Sequence, residues 1–403
     1  MGSRVDVVIV GAGSAGAAAA LLCARAGLSV RCIDAAPLDR AGARWLNGVP
    51  GWCFDVAGIA RPEPPEDHGH SERYHLMAGY SQARVTVTER DCLDVDMRHL
   101  VARLQRLAIA AGATLEGRVR ALGWSDGVLQ TDNGAIEADV AVDASGLRRV
   151  LGGRRTGRVD LCTAAQEVRE LVDPGGAEAF FGRWGVPVGD HLCFTGVAGG
   201  YSIVNVRVSG GQVSILTGAM ASGEVPSGGK MLDGFVRDNP WIGGKLWGGR
   251  RAIPVGAPEA VHHGDVLRIG DSGGQVYATH GSGIGAQLLA ARALADALAR
   301  GEGAPGYGRR FERLIGRELE RSAVFAEFSR SLTPSDLERM MAAGWLSRDT
   351  VVPALEQRPL APSPKLARRV LGALWRDPTT ARRIVPVLAR MARTTGSAPV
   401  DER

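Results

Sequence analysis

The feature that most restricts the fold of this 403-residue chain is a glycine-rich turn at residues 11–16, Gly-Ala-Gly-Ser-Ala-Gly. Residues 5–10, VDVVIV, precede it and are short and β-branched, which is typical of a buried parallel strand. An alanine-rich run follows the turn and predicts a helix ending near Gly27. A second apolar strand then ends at Asp34. This order of strand, turn, helix, strand and acid predicts a dinucleotide-binding unit.

Each part of this unit has a physical purpose. The first glycine permits the tight turn, the second lets the backbone approach a pyrophosphate, and the third lets helix and strand pack closely. The start of the helix offers N–H groups and a positive dipole end to the phosphates. Asp34 can accept hydrogen bonds from a ribose diol, which argues against NADP but does not separate NAD from FAD. The candidate binding residues are Gly11, Gly13, Ser14, Ala15, Gly16 and Asp34.

Two distant segments carry the further motifs of the chain. Residues 136–150, IEADVAVDASGLRRV, predict an apolar strand that ends in Asp143. Residues 264–298 predict a short strand, then Gly270-Asp271, a glycine-rich loop, and a long helix from about Ile284.

The three motifs, in this order over residues 5–330, resemble the flavoprotein superfamily of aromatic hydroxylases and geranylgeranyl reductases. The resemblance implies FAD, with the ADP part on the first motif and the ribityl chain on the Gly-Asp motif. It also implies an arginine on the helix after residue 96, for which Arg98 is the candidate, and one in the loop after the first acid, where Arg40 and Arg44 both qualify. The later candidates for FAD are Gly270, Asp271, Gly281, Gly283 and Ile284.

The fold class implied is α/β, with a Rossmann-like FAD-binding module interleaved with an antiparallel β-sheet substrate domain, followed by C-terminal helices. Residues 1–158 and 251–330 are expected to form the FAD module and residues 159–250 the substrate domain, where strand-like alternation surrounds Gly-Gly turns. Residues 331–403 are expected to form a helical region. No second dinucleotide fingerprint occurs, so NAD(P)H would dock transiently or another protein would supply electrons.

The loop from Gly270 to Ile284 favours the geranylgeranyl reductase-like branch, since it matches that family's loop in length. The hypothesis is reduction of a carbon–carbon double bond of an isoprenoid or related hydrophobic substrate. A flavin monooxygenase acting on an aromatic or natural-product substrate is the alternative, and a flavin redox sensor without turnover is a further one. Residues 143–147 also resemble flavin-dependent halogenases, which need an active-site lysine after the first strand–helix–strand unit. No lysine occurs between Asp34 and Asp143, so a halogenase is disfavoured.

Three residues are candidates for the chemistry. Tyr277 and His280 lie in the loop expected beside the flavin ring, where either could donate a proton or simply pack the loop. Cys53 stands about where the resembling reductases carry an active-site cysteine, although its neighbours match that pattern poorly.

Composition limits the other functions. The six cysteines are scattered without a CxxC pair, so no metal site is expected. The sequence lacks a signal-peptide pattern and any apolar run of about 18 residues, so a cytoplasmic protein is expected. Residues 358–393 carry nine basic side chains against one acid, although the whole chain is only +5, so the body does not suggest nucleic-acid binding. The basic tail has helical apolar spacing, which suits either an anionic membrane surface or a cap folded on the protein.

Overall fold

The computed structural model describes residues 4–69, 71–151, 153, 160–220 and 225–394. The strands are β1 (Val5–Val10), β2 (Val30–Asp34), β3 (Leu46–Pro50), β4 (Tyr74–Ala78), β5 (Arg84–Val87), β6 (Cys92–Asp96), β7 (Thr114–Gly117), β8 (Ala121–Ser125), β9 (Val128–Thr131), β10 (Gly134–Asp143), β11 (Leu161–Leu171), β12 (His191–Thr195), β13 (Ser202–Ser209), β14 (Gln212–Met220), β15 (Ile242–Pro254), β16 (His262–His263) and β17 (Val266–Arg268). The helices are α1 (Ser14–Arg25), α2 (Gly51–Ala57), α3 (Met97–Ala110), α4 (Pro174–Arg183), α5 (Gly228–Arg237), α6 (Ile284–Ala299), α7 (Gly303–Phe311), α8 (Arg317–Ser329), α9 (Pro334–Ala343), α10 (Arg348–Leu355), α11 (Pro364–Arg376) and α12 (Pro378–Arg393).

The described residues form two compact units, each built from separate stretches of chain. The first unit contains the described residues of Met1–Gly69, Leu93–Val159 and Gly256–Leu319, and the second contains those of His70–Cys92, Asp160–Val255 and Glu320–Arg403.

The first unit contains a sheet with strand order β16-β17-β10-β1-β2-β7, in which all pairs from β17 to β7 are parallel. The inner strands are apolar because both faces of a parallel sheet are buried. Helix α1 is buried along almost its whole length and packs against α3 and α6. Its run of alanines allows this close packing. The carboxyl ends of β1, β2 and β10 therefore meet at one edge of the sheet, where the glycine turn lies.

The second unit contains a sheet with strand order β15-β11-β14-β13-β12-β4-β5, antiparallel except between β12 and β4. One face carries the alternating residues of β13 and β14 into an aromatic-rich core with α4 and α5. This alternation is the period-two pattern predicted from the sequence around the Gly-Gly turns.

The C-terminal helices belong to this second unit. Helices α9, α11 and α12 share an apolar cluster that includes Met340, Trp345, Ala373 and Ile384. Helices α7 and α8 are joined by a π-helical turn at Glu312–Gly316. None of the described helices is long and apolar enough to cross a membrane. The predicted α/β class, with parallel and antiparallel sheets followed by helices, is confirmed.

Candidate cofactor and active site

The glycine turn after β1 leaves no room for side chains. Gly11 has a φ of +108°, and a Cβ there would lie 2.4 Å from the carbonyl oxygen of Ala144, at the end of β10. A Cβ on Gly16 would lie 1.7 Å from the carbonyl oxygen of Gly11. The backbone at the start of α1 therefore lies too close to the ends of β1 and β10 for any side chain at Gly11 or Gly16, so the first and third glycines are required for packing.

Gly13 precedes α1 and is the residue where a ligand could approach the backbone. No described side chain caps this helix terminus, so its first N–H groups can donate hydrogen bonds to an anion. The loop after β2 approaches here, because a Cβ on Gly13 would lie 3.0 Å from the Cα of Gly42. The positive end of the α1 dipole adds to the attraction for a phosphate group.

Asp34 closes the glycine turn at the end of β2. One carboxylate oxygen accepts a hydrogen bond from the N–H of Ala12 and the other from the N–H of Ala36, each at 2.8 Å. These two bonds fix the carboxylate beside the turn. Each oxygen keeps a second lone pair, so the carboxylate retains the capacity to accept from a sugar hydroxyl.

Gln105, on α3, holds the same turn and was missed by the sequence analysis. Its buried amide donates to the carbonyl oxygens of Ala12 at 2.9 Å and Leu38 at 3.0 Å. The only signal in the sequence is a glutamine on the apolar face of an amphipathic helix, which does not reveal its partners.

The first and third motifs contact each other through a second buried glutamine that sequence reasoning also missed. The hydroxyl of Ser14 donates to Gln287 Oε1 at 2.6 Å, and Gln287 Nε2 donates to Asp271 Oδ1 at 3.4 Å. A Cβ on Gly270, whose φ is +76°, would lie 2.9 Å from the Cβ of Ala15. Helix α6 therefore joins the glycine turn to the Gly-Asp motif.

The second motif is tied to the third in the same way. The carboxylate of Asp143 accepts from Ser145 and from the N–H of Leu151, which shapes the loop after β10. The hydroxyl of Ser272 donates to the carbonyl oxygen of Asp143 at 2.5 Å. The structure thus brings together all three motifs that the sequence singled out.

This arrangement fits the extended shape of FAD. The uncapped start of α1 can hold a pyrophosphate, Asp34 lies beside it for a ribose, and Asp271 lies across Gln287 for the ribityl chain. Helix α6 begins after Gly283, again without a described side-chain cap, so its terminus can face the negative edge of a reduced flavin.

The loop between the Gly-Asp motif and α6 carries two of the candidate catalytic residues. The Tyr277 and His280 rings lie 4.9 Å apart, and Tyr277 N–H donates to the carbonyl of Ser282 at 2.8 Å. Burial raises the pKa of Tyr277 well above its usual value, and the charge of Glu318 adds to this. Tyr277 therefore stays protonated at neutral pH. Tyr277 is buried, whereas His280 is only half-buried.

The third candidate, Cys53, is fully buried in α2, and α2 packs against α6. Strand β3 precedes α2, and its Gly48 carbonyl accepts a hydrogen bond from Ser282 at 3.2 Å. The stretch around Cys53 thus belongs to the surroundings of the Tyr277 loop.

Two of the three candidate arginines, Arg98 and Arg44, bond protein groups, and the third, Arg40, is exposed at the end of the turn Leu38–Arg40. Arg98 pairs with Asp96, the N-cap residue of α3, at 2.6 Å. Burial acts to raise the pKa of Asp96, but hydrogen bonds from His68 and Arg98 outweigh it and hold that pKa well below its usual range. Arg44 is exposed and donates to the carbonyl of Asp39 at 2.5 Å. Contact of any of these arginines with the cofactor stays a prediction.

Trp45 is a further residue that sequence reasoning missed. It lies just before β3, is 6% exposed, and its indole Nε1 has no hydrogen-bond partner among the described residues. Such a buried donor is available to a ligand.

Within the described ranges, no group of three or more His, Cys, Asp or Glu side chains could hold a metal ion.

Comparison with known proteins places these observations in context. The family model for lycopene cyclase protein matches residues 6–165. The chain is 25% identical to the digeranylgeranylglycerophospholipid reductase of Methanothrix thermoacetophila, covering 84% of this chain and 90% of that protein. It is 28% identical to digeranylgeranylglycerophospholipid reductase 2 of Methanothermobacter thermautotrophicus, covering 84% and 91%.

A solved structure shares the fold. The geranylgeranyl bacteriochlorophyll reductase-like protein of Thermoplasma acidophilum superposes with a TM-score of 0.71 and 17% identity, covering 96% of this chain and 99% of that one. The structure of halogenase PltM, solved in complex with phloroglucinol and FAD, shares the fold with a TM-score of 0.58 and 15% identity, covering 88% of this chain and 82% of that one. By sequence and by fold together, the predicted resemblance of the chain to the geranylgeranyl reductase-like branch of the FAD-dependent aromatic hydroxylase superfamily is confirmed.

Proposed function

We propose that the protein is an FAD-dependent oxidoreductase that reduces a carbon–carbon double bond of an isoprenoid or related hydrophobic substrate. The observation that carries this proposal is the similarity, over 84% of the chain, to two proteins named as digeranylgeranylglycerophospholipid reductases. The three motifs that meet around the glycine turn, as described above, agree with this proposal. When bound, reduced FAD supplies a hydride to one carbon of the double bond, and the other carbon needs a proton.

The residues of the first unit divide the binding of FAD among them. The start of α1 and Gly13 take the pyrophosphate, Asp34 accepts from the adenosine ribose, and Asp271 accepts from the ribityl chain. The remaining predicted contacts are through Arg44 and Arg98. Each guanidinium has five N–H donors, so it can bond FAD while it keeps its present carbonyl or carboxylate partner. The positive end of the α6 dipole stabilises negative charge on the reduced ring.

His280 is our candidate for the proton donor. His280 is half-buried and its ring carries an N–H donor, whereas burial raises the pKa of Tyr277 and keeps its proton in place. Tyr277 instead positions the loop, through its ring contact with His280 and its backbone bonds to Ser282 and Gly281. Cys53 is fully buried in α2, which packs against α6, so we assign it a packing role.

The partners follow from the same proposal. The substrate is a small hydrophobic molecule, and electrons come from NAD(P)H or from a protein donor. The protein works in the cytoplasm and reaches membranes peripherally through its basic C-terminal helices. Hydrophobic isoprenoids are held in membranes, so this location suits the substrate.

The test is an anaerobic single-turnover experiment. The purified protein is reduced with dithionite, freed of reductant, and mixed with a lipid bearing geranylgeranyl chains. We expect return of the oxidised flavin absorbance and a product heavier by two hydrogens for each bond reduced. If no alkene reoxidises the flavin, the proposal is contradicted and a redox sensor is favoured. Bleaching by NADH or NADPH that needs an aromatic ligand, followed by an oxygen adduct in air, would instead indicate a monooxygenase.

The site assignment has a matched pair of variants. His280→Gln should lower the single-turnover rate by about 10²-fold or more, the usual contribution of a general acid. His263→Gln is the control, because His263 is exposed and lies in β16 of the same unit. Equal rates for the two variants would remove His280 from the mechanism.

A further inference from the structure

Helix α11 has an apolar arc that is wider than the protein surface covering it. On a helical wheel at 100° per residue, the apolar residues run from Ala373 through Val370 and Leu374 to Leu371 and Trp375, about half of the circumference. A helix that only caps a globular protein needs a narrower stripe. The width of the arc implies two apolar contacts rather than one.

The inner half of the arc is covered by the second unit itself. Ala373 is fully buried, and Val370 and Leu374 pack against the cluster that contains Met340 and Trp345 of the preceding helical segment. This contact fixes which side of α11 faces the protein. It accounts for the capping arrangement that the sequence left open.

The outer half of the arc is exposed. We name Pro364, Ala367, Leu371 and Trp375 the outer stripe; they are spaced three or four residues apart, and all are exposed. Leu371 is 62% exposed and Trp375 90%. Single exposed apolar residues are ordinary, but a tryptophan and a leucine one turn apart on an exposed helix face mark an interaction surface.

The charged side chains of α11 are all basic. Arg368 and Arg382 are exposed and form no ion pair with another described residue, whereas Arg369, Arg383 and Arg390 are paired with acids of their own unit. The cations that are not needed for folding thus lie on exposed positions of α11 and α12. A partner surface must therefore be apolar and carry negative charge.

We propose that the outer stripe docks on an anionic lipid bilayer. Tryptophan favours the headgroup level of a membrane, and a basic amphipathic helix lies in that plane with its apolar residues inserted. Arg368, which lies about 20° from Trp375 on the helical wheel of α11, then meets lipid phosphates and contributes about fivefold in affinity near an anionic surface. This narrows the peripheral contact proposed above to one helix face, and it does not depend on which reaction the flavin supports.

The test is flotation of the full-length flavoprotein with vesicles of phosphatidylcholine containing phosphatidylglycerol, compared with phosphatidylcholine alone. We expect binding to the anionic vesicles that weakens with salt. Trp375→Ala and Leu371→Ala should each reduce it, by about tenfold for the tryptophan. Leu122→Ala is the matched control, because Leu122 is 61% exposed and lies in the first unit. It should float like the wild type.

Charge is tested in the same assay. Arg368→Glu should weaken binding, whereas Arg106→Glu, at an exposed position of α3, should not. All these side chains are exposed, so FAD content and the thermal midpoint should be unchanged. Absence of wild-type flotation, or equal flotation of Trp375→Ala, would overturn the proposal. So would a wild-type dimer that Trp375→Ala makes monomeric without any vesicle binding, since the stripe would then join two copies of the chain.

Discussion

Replacing Gly16 with alanine is expected to disrupt the proposed FAD site at the glycine turn. The added Cβ would lie 1.7 Å from the carbonyl oxygen of Gly11, more than 1 Å inside the 3.0 Å below which real Cβ contacts essentially never occur. Both partners are backbone, so no side chain can swing away, and α1 must move relative to β1. Overpacking costs about 1–3 kcal/mol where side chains can adjust, so we expect about 3 kcal/mol or more here.

The assay measures the FAD dissociation constant by flavin fluorescence and the thermal midpoint of the apoprotein. A loss of about 3 kcal/mol should weaken FAD about a hundredfold, or lower the midpoint by about 6–12 °C, depending on where the strain is released. Gly182→Ala is the control, since Gly182 is in α4 and a Cβ there has no atom within 4 Å. That variant should be more stable by about 0.5 kcal/mol. Affinity within about threefold and an unchanged midpoint for Gly16→Ala would refute the packing argument.

Three further predictions concern polar groups. Gln287→Leu removes the acceptor of the buried Ser14 hydroxyl and should cost about 1–3 kcal/mol, measured by urea unfolding with and without FAD; no loss in either state would show that the link is not needed. Tyr277→Phe should leave the shape of the kcat/KM profile unchanged from about pH 6 to 9, because burial raises the tyrosine pKa; a limb present only in the wild type would contradict this. Asp96→Asn should destabilise at pH 7 by about 2 kcal/mol. Since the folded pKa of Asp96 is depressed, the stability that its carboxylate contributes is complete above about pH 4 and is lost as the pH falls further. A stability difference between the wild type and Asp96→Asn that grows as the pH falls would contradict this prediction.

The sequence alone determined the local parts of the site. The turn around Gly11 and Gly16 was predictable because glycine is required by sterics that act within a few residues. The strand ends at Asp34 and Asp143 followed from apolar runs stopped by an acid, and their meeting at one sheet edge followed from parallel topology. The resemblance to a flavoprotein family supplied the prediction that the cofactor is FAD.

Tertiary structure decided which side chains hold those parts together. Gln287 is 273 residues from Ser14, and Gln105 is 93 from Ala12, so no local pattern could indicate either pair. The C-terminal helices show the same limit. Periodicity predicted the apolar arc of α11 but could not say how much of it the protein buries, because burial depends on the helices packed beside it. Only the fold separated Ala373, which is buried, from Trp375, which faces outward.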